Sequence, residues 1–199
     1  MLTVFPIAFF GNVEYFKKLA NSSNPIFEMK EHILKGTIRS RCEILSPNGV
    51  QQLNIPLFRP NGSKTLIDQV ELSTETDWQV KLWRSIKTAY SSAPFFDHYG
   101  MEVEELIFNK EKNLCLYTSA ITERIVEWLS IPITLNHSTE YVEGSILKDY
   151  RLYDFNSLNA IPFYQQVFST GEEFHPNLSI LDLIFCEGPM ARNWVLNSH

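Results

Sequence analysis

Two arginines one step apart, in Arg39-Ser-Arg-Cys-Glu-Ile44, are the first residues here whose type and spacing suit chemistry. Side chains alternate along a strand, so Arg39 and Arg41 share a face and offer a fork for phosphate or carboxylate oxygens. Glu43 continues that face, and a solvated strand partly neutralised by it is the plainer alternative. Asp149-Tyr-Arg151 supplies a carboxylate and a third guanidinium in a polar, irregular stretch, where functional groups concentrate; mutual pairing is the alternative there. His137 follows an extended apolar segment and Asp182 stands near a helix start, and either type of group can accept a proton. Asp182 equally suits capping, because Ser179-Ile-Leu-Asp182 has the spacing at which hydroxyl and carboxylate satisfy first-turn N–H groups. Asn177, Ser179 and Gln166 are the neutral polar contacts that complete the set.

The elements that must position these groups follow from periodicity and breakers. Leu2 to Ala8 is apolar and β-favouring, Gly11-Asn12 breaks it, and Tyr15, Phe16 and Leu19 fall at helical spacing before a second short strand, Pro25-Ile-Phe-Glu-Met29. That is a β-α-β opening, in which the loop after the first strand is a favoured ligand position. Asn12 and Glu14 lie near it, yet no Gly-rich phosphate fingerprint accompanies them. Thr37 to Leu57 reads as a hairpin. With Asn48-Gly49 as a two-residue type I′ turn, Ile44 opposes Leu53, Cys42 opposes Ile55 and Ser40 opposes Leu57. Thr65 to Leu72 alternates weakly as a further strand. Three helices come next: one started by Thr76 and Gln79 as a capping pair, one after Pro94, and one from about Leu114 to Leu129. Ile131 to Leu135 returns to an extended pattern, a polar stretch runs from Glu140 to Asn159, and Gly171 to Pro176 turns the chain into a last helix closed by Gly188-Pro189. The fold class is α/β, or α+β: a β-α-β unit and a hairpin packed with a helical middle around a mixed sheet, as one domain over 1–199.

Composition excludes several functions. With 199 residues, 44% of them hydrophobic, the chain can bury one sizeable core. A net charge of −6 lacks the basic clusters that displace counterions from nucleic acid, so small molecules or proteins are the expected partners. The apolar run from Leu2 to Phe10 contains Pro6 and is too short to span a bilayer. Cys42, Cys115 and Cys186 are widely spaced in apolar surroundings, which suits reduced thiols in the cytoplasm. His32, His98, His137, His175 and His199 show no zinc spacing, and no pattern names a metal or a cofactor. A homo-oligomer stays open.

The order and spacing of these segments resemble the WbqC-like family over nearly the whole length. The carrying residues are Phe5-Pro6 with Glu14-Tyr15-Phe16, Arg39 to Ile44, Asn48-Gly49 before Leu53-Asn-Ile-Pro56, Trp83-Arg-Ser-Ile86, Ala89-Tyr90 and Pro94-Phe-Phe96. Asp149-Tyr-Arg151, Tyr164 to Phe168, Asn177 to Asp182 and Glu187-Gly-Pro189 complete them. The resemblance implies a bacterial cytoplasmic protein of surface polysaccharide biosynthesis, with glycyl or related acyl transfer to an amino sugar, held on a nucleotide, as its activity. Under that reading His137 or Asp182 is the base, Arg39, Arg41 and Arg151 hold the anion, and Asn177 or Ser179 stabilises the oxyanion. A non-catalytic protein that binds a nucleotide sugar or serves as a scaffold is the alternative. A pocket that brings Asp182, Arg41 and Asp149 within reach of one another supports the enzyme; their dispersal over separate faces favours the alternative.

Overall fold

The computed structural model describes residues 2–144, 146–156, 161–169 and 173–196. The turn expected at Gly171 and the terminal His199 lie outside them. β1 (Leu2–Phe5), α1 (Val13–Ala20) and β2 (Pro25–Phe27) form the anticipated unit, with Val4 opposite Ile26 in parallel register. Asn12 starts the helix: its Oδ1 accepts the Tyr15 N–H at 3.0 Å, satisfying one of the donors that a helix start leaves open. Glu14 in the first turn and Lys17 and Lys18 in the last complement the helix dipole. Tyr15, Phe16 and Leu19, at helical spacing, are fully buried. Burying each such apolar side chain contributes about 1.5–3 kcal/mol.

β3 (Arg41–Ser46) and β4 (Gly49–Asn54) form the hairpin with a register displaced from the expected one: Cys42 opposes Leu53 and Ile44 opposes Gln51. The loop is Pro47-Asn48, not Asn48-Gly49. A type I′ turn needs positive φ at both central residues, whereas Pro47 fixes a negative one and suits the first central position of a type I turn. Gly49 then takes the left-handed conformation at φ 97°. Because partners shift by two residues, the faces survive: Cys42, Ile44, Leu53 and Ile55 are buried while Arg41 and Glu43 are exposed. Arg39 precedes the strand in a turn closed by Ser40 N–H to Thr37 O at 3.2 Å, so strand alternation does not link it to Arg41.

β5 (Leu57–Phe58) pairs with β6 (Glu71–Leu72), and most of the strand expected over Thr65–Leu72 is instead turn, including a 3-10 turn at Ile67–Gln69. The helical middle comprises α2 (Trp78–Tyr90), α3 (Phe96–Ile107) and α4 (Leu114–Trp128). α2 starts at Asp77 without a side-chain cap, because Gln79 donates to the Ile107 carbonyl at 2.7 Å rather than turning back. β7 (Asn136–His137) and β8 (Ile146–Asp149) complete a four-stranded parallel sheet in the order β7-β2-β1-β8, so parallel and antiparallel pairing fall in separate sheets. α5 (Ile180–Glu187) lies in the core, with Leu181, Leu183, Ile184 and Phe185 fully buried, and α6 (Ala191–Leu196) packs against α1.

Candidate functional site

From β1 the chain crosses to β2 on one side, and it later returns through β8 on the other. Loops leaving β1 and β8 therefore diverge, and in open parallel sheets that switch point opens a crevice at the carboxyl ends of the strands. A cleft of about 290 Å³ lies there, lined by Pro6 after β1, Arg151, Tyr153, Phe155 and Asn156 after β8, and Arg39. A second cleft of about 170 Å³ adjoins it across Gly36-Thr37-Ile38 and Asn156, and is lined by Asn12, Arg41, Glu43, Gln52 and Asn177.

A buried ionic network floors the first cleft. Arg39, 2% exposed, donates Nε and Nη2 to Glu31 at 2.7 and 2.8 Å, and Nη2 also reaches the Arg151 carbonyl at 2.9 Å. Burial pushes the Glu31 carboxyl above its ordinary range, with Arg39 opposing. Glu28, fully buried after β2, accepts from the Lys30 and Val142 N–H groups, from Ser138 Oγ and from Arg151 Nη1. Arg151 also grips Asp149 through Nε and Nη2 and lies over the Tyr141 ring at 4.6 Å. Those hydrogen bonds hold the Asp149 carboxyl below its usual range. Arg39, Asp149 and Arg151 thus join one hydrogen-bonded assembly, in which the two guanidinium groups are committed to protein acceptors.

Arg41 stands apart from Arg39. Its guanidinium packs on Gly36, where a Cβ would come within 3.0 Å of Nη1 and where φ is 71°. Among the described residues neither Arg41 nor Glu43 makes an ion pair, and both open into the second cleft. Asn177, beside them, is engaged: its Oδ1 accepts the Glu14 N–H at 2.9 Å and its Nδ2 donates to the Phe155 carbonyl at 2.6 Å, an acceptor it shares with Asn12 Nδ2 at 2.9 Å. These two amides pin the loop after β8 to the start of α1.

Asp182 lies elsewhere. It is fully buried on α5 and accepts from Tyr90 Oη at 2.9 Å, Tyr164 Oη at 2.7 Å and Gln166 Nε2 at 2.8 Å. Burial raises its carboxyl above the ordinary range against the pull of those three donors. The expected capping box is therefore half formed. Ser179 Oγ accepts the Leu181 N–H at 3.3 Å and donates to the Phe10 carbonyl, while the Asp182 carboxylate turns inward. Gln166 also clasps His175 through its N–H and carbonyl. His137 is exposed at the end of β7 with Nε2 2.9 Å from Ser119 Oγ. Asp182, Arg41 and Asp149 do not share a pocket: Asp182 is sealed in the core, Arg41 lines the second cleft and Asp149 is clamped by Arg151.

Sequence reasoning passed over Glu28, Glu31, Gln52 and Asn156. The acids had a signal, since Glu28 directly follows the second strand of a β-α-β unit and Glu31 lies within four residues of its end, on the edge where sites form. The three thiols are buried and unpaired, and burial pushes Cys115 up to about 12, so none is a ready nucleophile. No group of three His, Cys, Asp or Glu among the described residues could hold a metal, and no helix among them is long and apolar enough to cross a membrane.

Strand order and cleft position define an open parallel α/β protein with polar depressions at the carboxyl ends of its strands. The chain belongs to the WbqC-like protein family, whose model matches residues 8–157. That match includes both clefts except Pro6 and Asn177, and it ends before Gln166 and Asp182. No curated protein and no solved structure matches the chain.

Proposed function

We propose that the protein binds a nucleotide-linked amino sugar in the cleft of Arg41 and Glu43, and that it serves acyl or aminoacyl (glycyl) transfer to that amine in surface polysaccharide biosynthesis. The observation that supports this reading is a cation and a carboxylate projecting from β3 into one polar cleft, neither satisfied by an ion-pair partner among the described residues. Arg41 suits a phosphate oxygen and Glu43 an ammonium, with Gln52 and Asn156 within the same lining for sugar hydroxyls. In transfer, Glu43 first takes a proton from the ammonium, the freed amine forms a C–N bond with the acyl carbon as the bond to the donor's leaving group breaks, and the second proton lost from nitrogen goes to that leaving group. Asp182 and His137 are replaced in that role because neither lines the cleft.

A non-catalytic binding or scaffold role is the second reading, favoured by the dispersal of Asp182, Arg41 and Asp149. Calorimetric titration with UDP-glucosamine and with free glucosamine tests the binding both readings share. Arg41→Met weakens the nucleotide-linked ligand at least about tenfold and free glucosamine little, as expected for a lost charge-assisted contact; equal effects on both ligands overturn the assignment. Glu43→Gln then separates the two readings. Abolished acyl transfer with retained binding supports catalysis, and failure of the wild type to acylate the sugar with any activated donor supports the scaffold.

A further inference from the structure

On the far side of Arg41 lies a third depression, of about 280 Å³, which shares only Gly36 and Arg41 with the Glu43 cleft. Its lining holds three cations, Lys35, Arg41 and Arg59, and no carboxylate. In a chain of net charge −6 such a lining is out of keeping with the rest of the surface, and a concave positive patch concentrates anions. None of the three makes an ion pair with the described residues. Between the cations the floor is apolar: Ile33 and Ile55 are buried, and Pro56 and Leu57 are half-buried beside them. Gly36 allows this geometry, because at φ 71° with no Cβ its loop lies directly on the Arg41 guanidinium and leaves that group open to both depressions.

We infer that this depression is a nucleoside diphosphate subsite: Lys35, Arg41 and Arg59 take the two phosphates, and the apolar floor of Ile33, Ile55 and Leu57 takes the flat face of the base. The inference deepens the nucleotide-sugar reading and rests on it, since Arg41 is the joint at which phosphates on one side meet a sugar on the other. Two phosphates carry more charge than a single guanidinium neutralises, which gives Lys35 and Arg59 a purpose that the Glu43 cleft alone does not supply.

Calorimetric titration of the full chain with UDP, inorganic pyrophosphate and UDP-glucosamine, at 50 and 200 mM salt, tests it. The double variant Lys35→Ala/Arg59→Ala removes two exposed or half-exposed cations without opening the core. The expected result is binding of UDP by the wild type, weakened by salt, and a loss of about a hundredfold for UDP and UDP-glucosamine alike in the double variant, or about tenfold per charge-assisted contact. Lys35→Arg/Arg59→Lys, which keeps both charges, retains most of the affinity. If UDP-glucosamine binds the wild type and the double variant equally, or binds while UDP does not, the subsite is overturned and the Arg41–Glu43 reading stands. If neither ligand binds the wild type, both fall together.

Discussion

Asp182→Ala separates a structural acid from a catalytic one. The carboxylate takes three buried hydrogen bonds, from α2 through Tyr90, from the 161–169 segment through Tyr164 and Gln166, and it sits on α5, so it ties three parts of the core together. Its removal leaves three buried donors. At about 1–3 kcal/mol for each unsatisfied group, with some recovery as the Tyr hydroxyls rotate or water enters, the net loss is about 2–6 kcal/mol. Domains of this kind are stable by only about 5–15 kcal/mol. Tyr90→Phe deletes one donor and costs about 0.5–1.5 kcal/mol. Burial raises the Asp182 carboxyl, so the native chain holds that proton more tightly than the unfolded one. The stability it contributes is complete below the unfolded value of about 3.9 and is lost as pH rises through the folded value. The margin of wild type over Asp182→Asn therefore shrinks as pH rises. Urea melts followed by circular dichroism measure all of this. A cost for Asp182→Ala under about 1 kcal/mol, or a margin over Asp182→Asn that widens with pH, would refute the buried-hub account.

Arg39→Met leaves the buried Glu31 without its cation and costs about 3–5 kcal/mol; the double variant Arg39→Met/Glu31→Leu recovers most of it in calorimetric melting. Gly188→Ala drives a Cβ into the Phe95 ring at φ 55°, so overpacking and backbone strain add and the midpoint temperature falls steeply. Asp149, whose carboxyl Arg151 holds down, contributes stability that is present above the unfolded pKa of about 3.9 and lost as pH falls through the folded value. Asp149→Asn therefore flattens the acid limb of the stability profile below about pH 4, and modestly, because the group is partly solvated.

The β-α-β opening was legible because apolar strands, a breaker and a helical period occur in succession within the first 29 residues. The hairpin's faces were legible too, since alternation survives a register error of two. Its turn was misread because Asn-Gly is a strong local signal and Pro47 overrides it. Asp182 shows the limit of spacing arguments. A Ser-x-x-Asp pattern specifies a local partner, but Tyr90 and Tyr164 arrive from distant parts of the chain and capture the carboxylate. Likewise Arg39 and Arg41 look equivalent in the sequence, yet lying two residues short of the strand is enough to turn Arg39 inward onto Glu31. The strands β7 and β8, two and four residues long, carry too little pattern to be located without the strands they pair with.

A crystal structure with UDP-glucosamine bound tests the central assignment most directly. The expected density has the diphosphate against Lys35, Arg41 and Arg59 and the amine beside Glu43. Ligand density beside His137, or density that touches neither Arg41 nor Glu43, would contradict it.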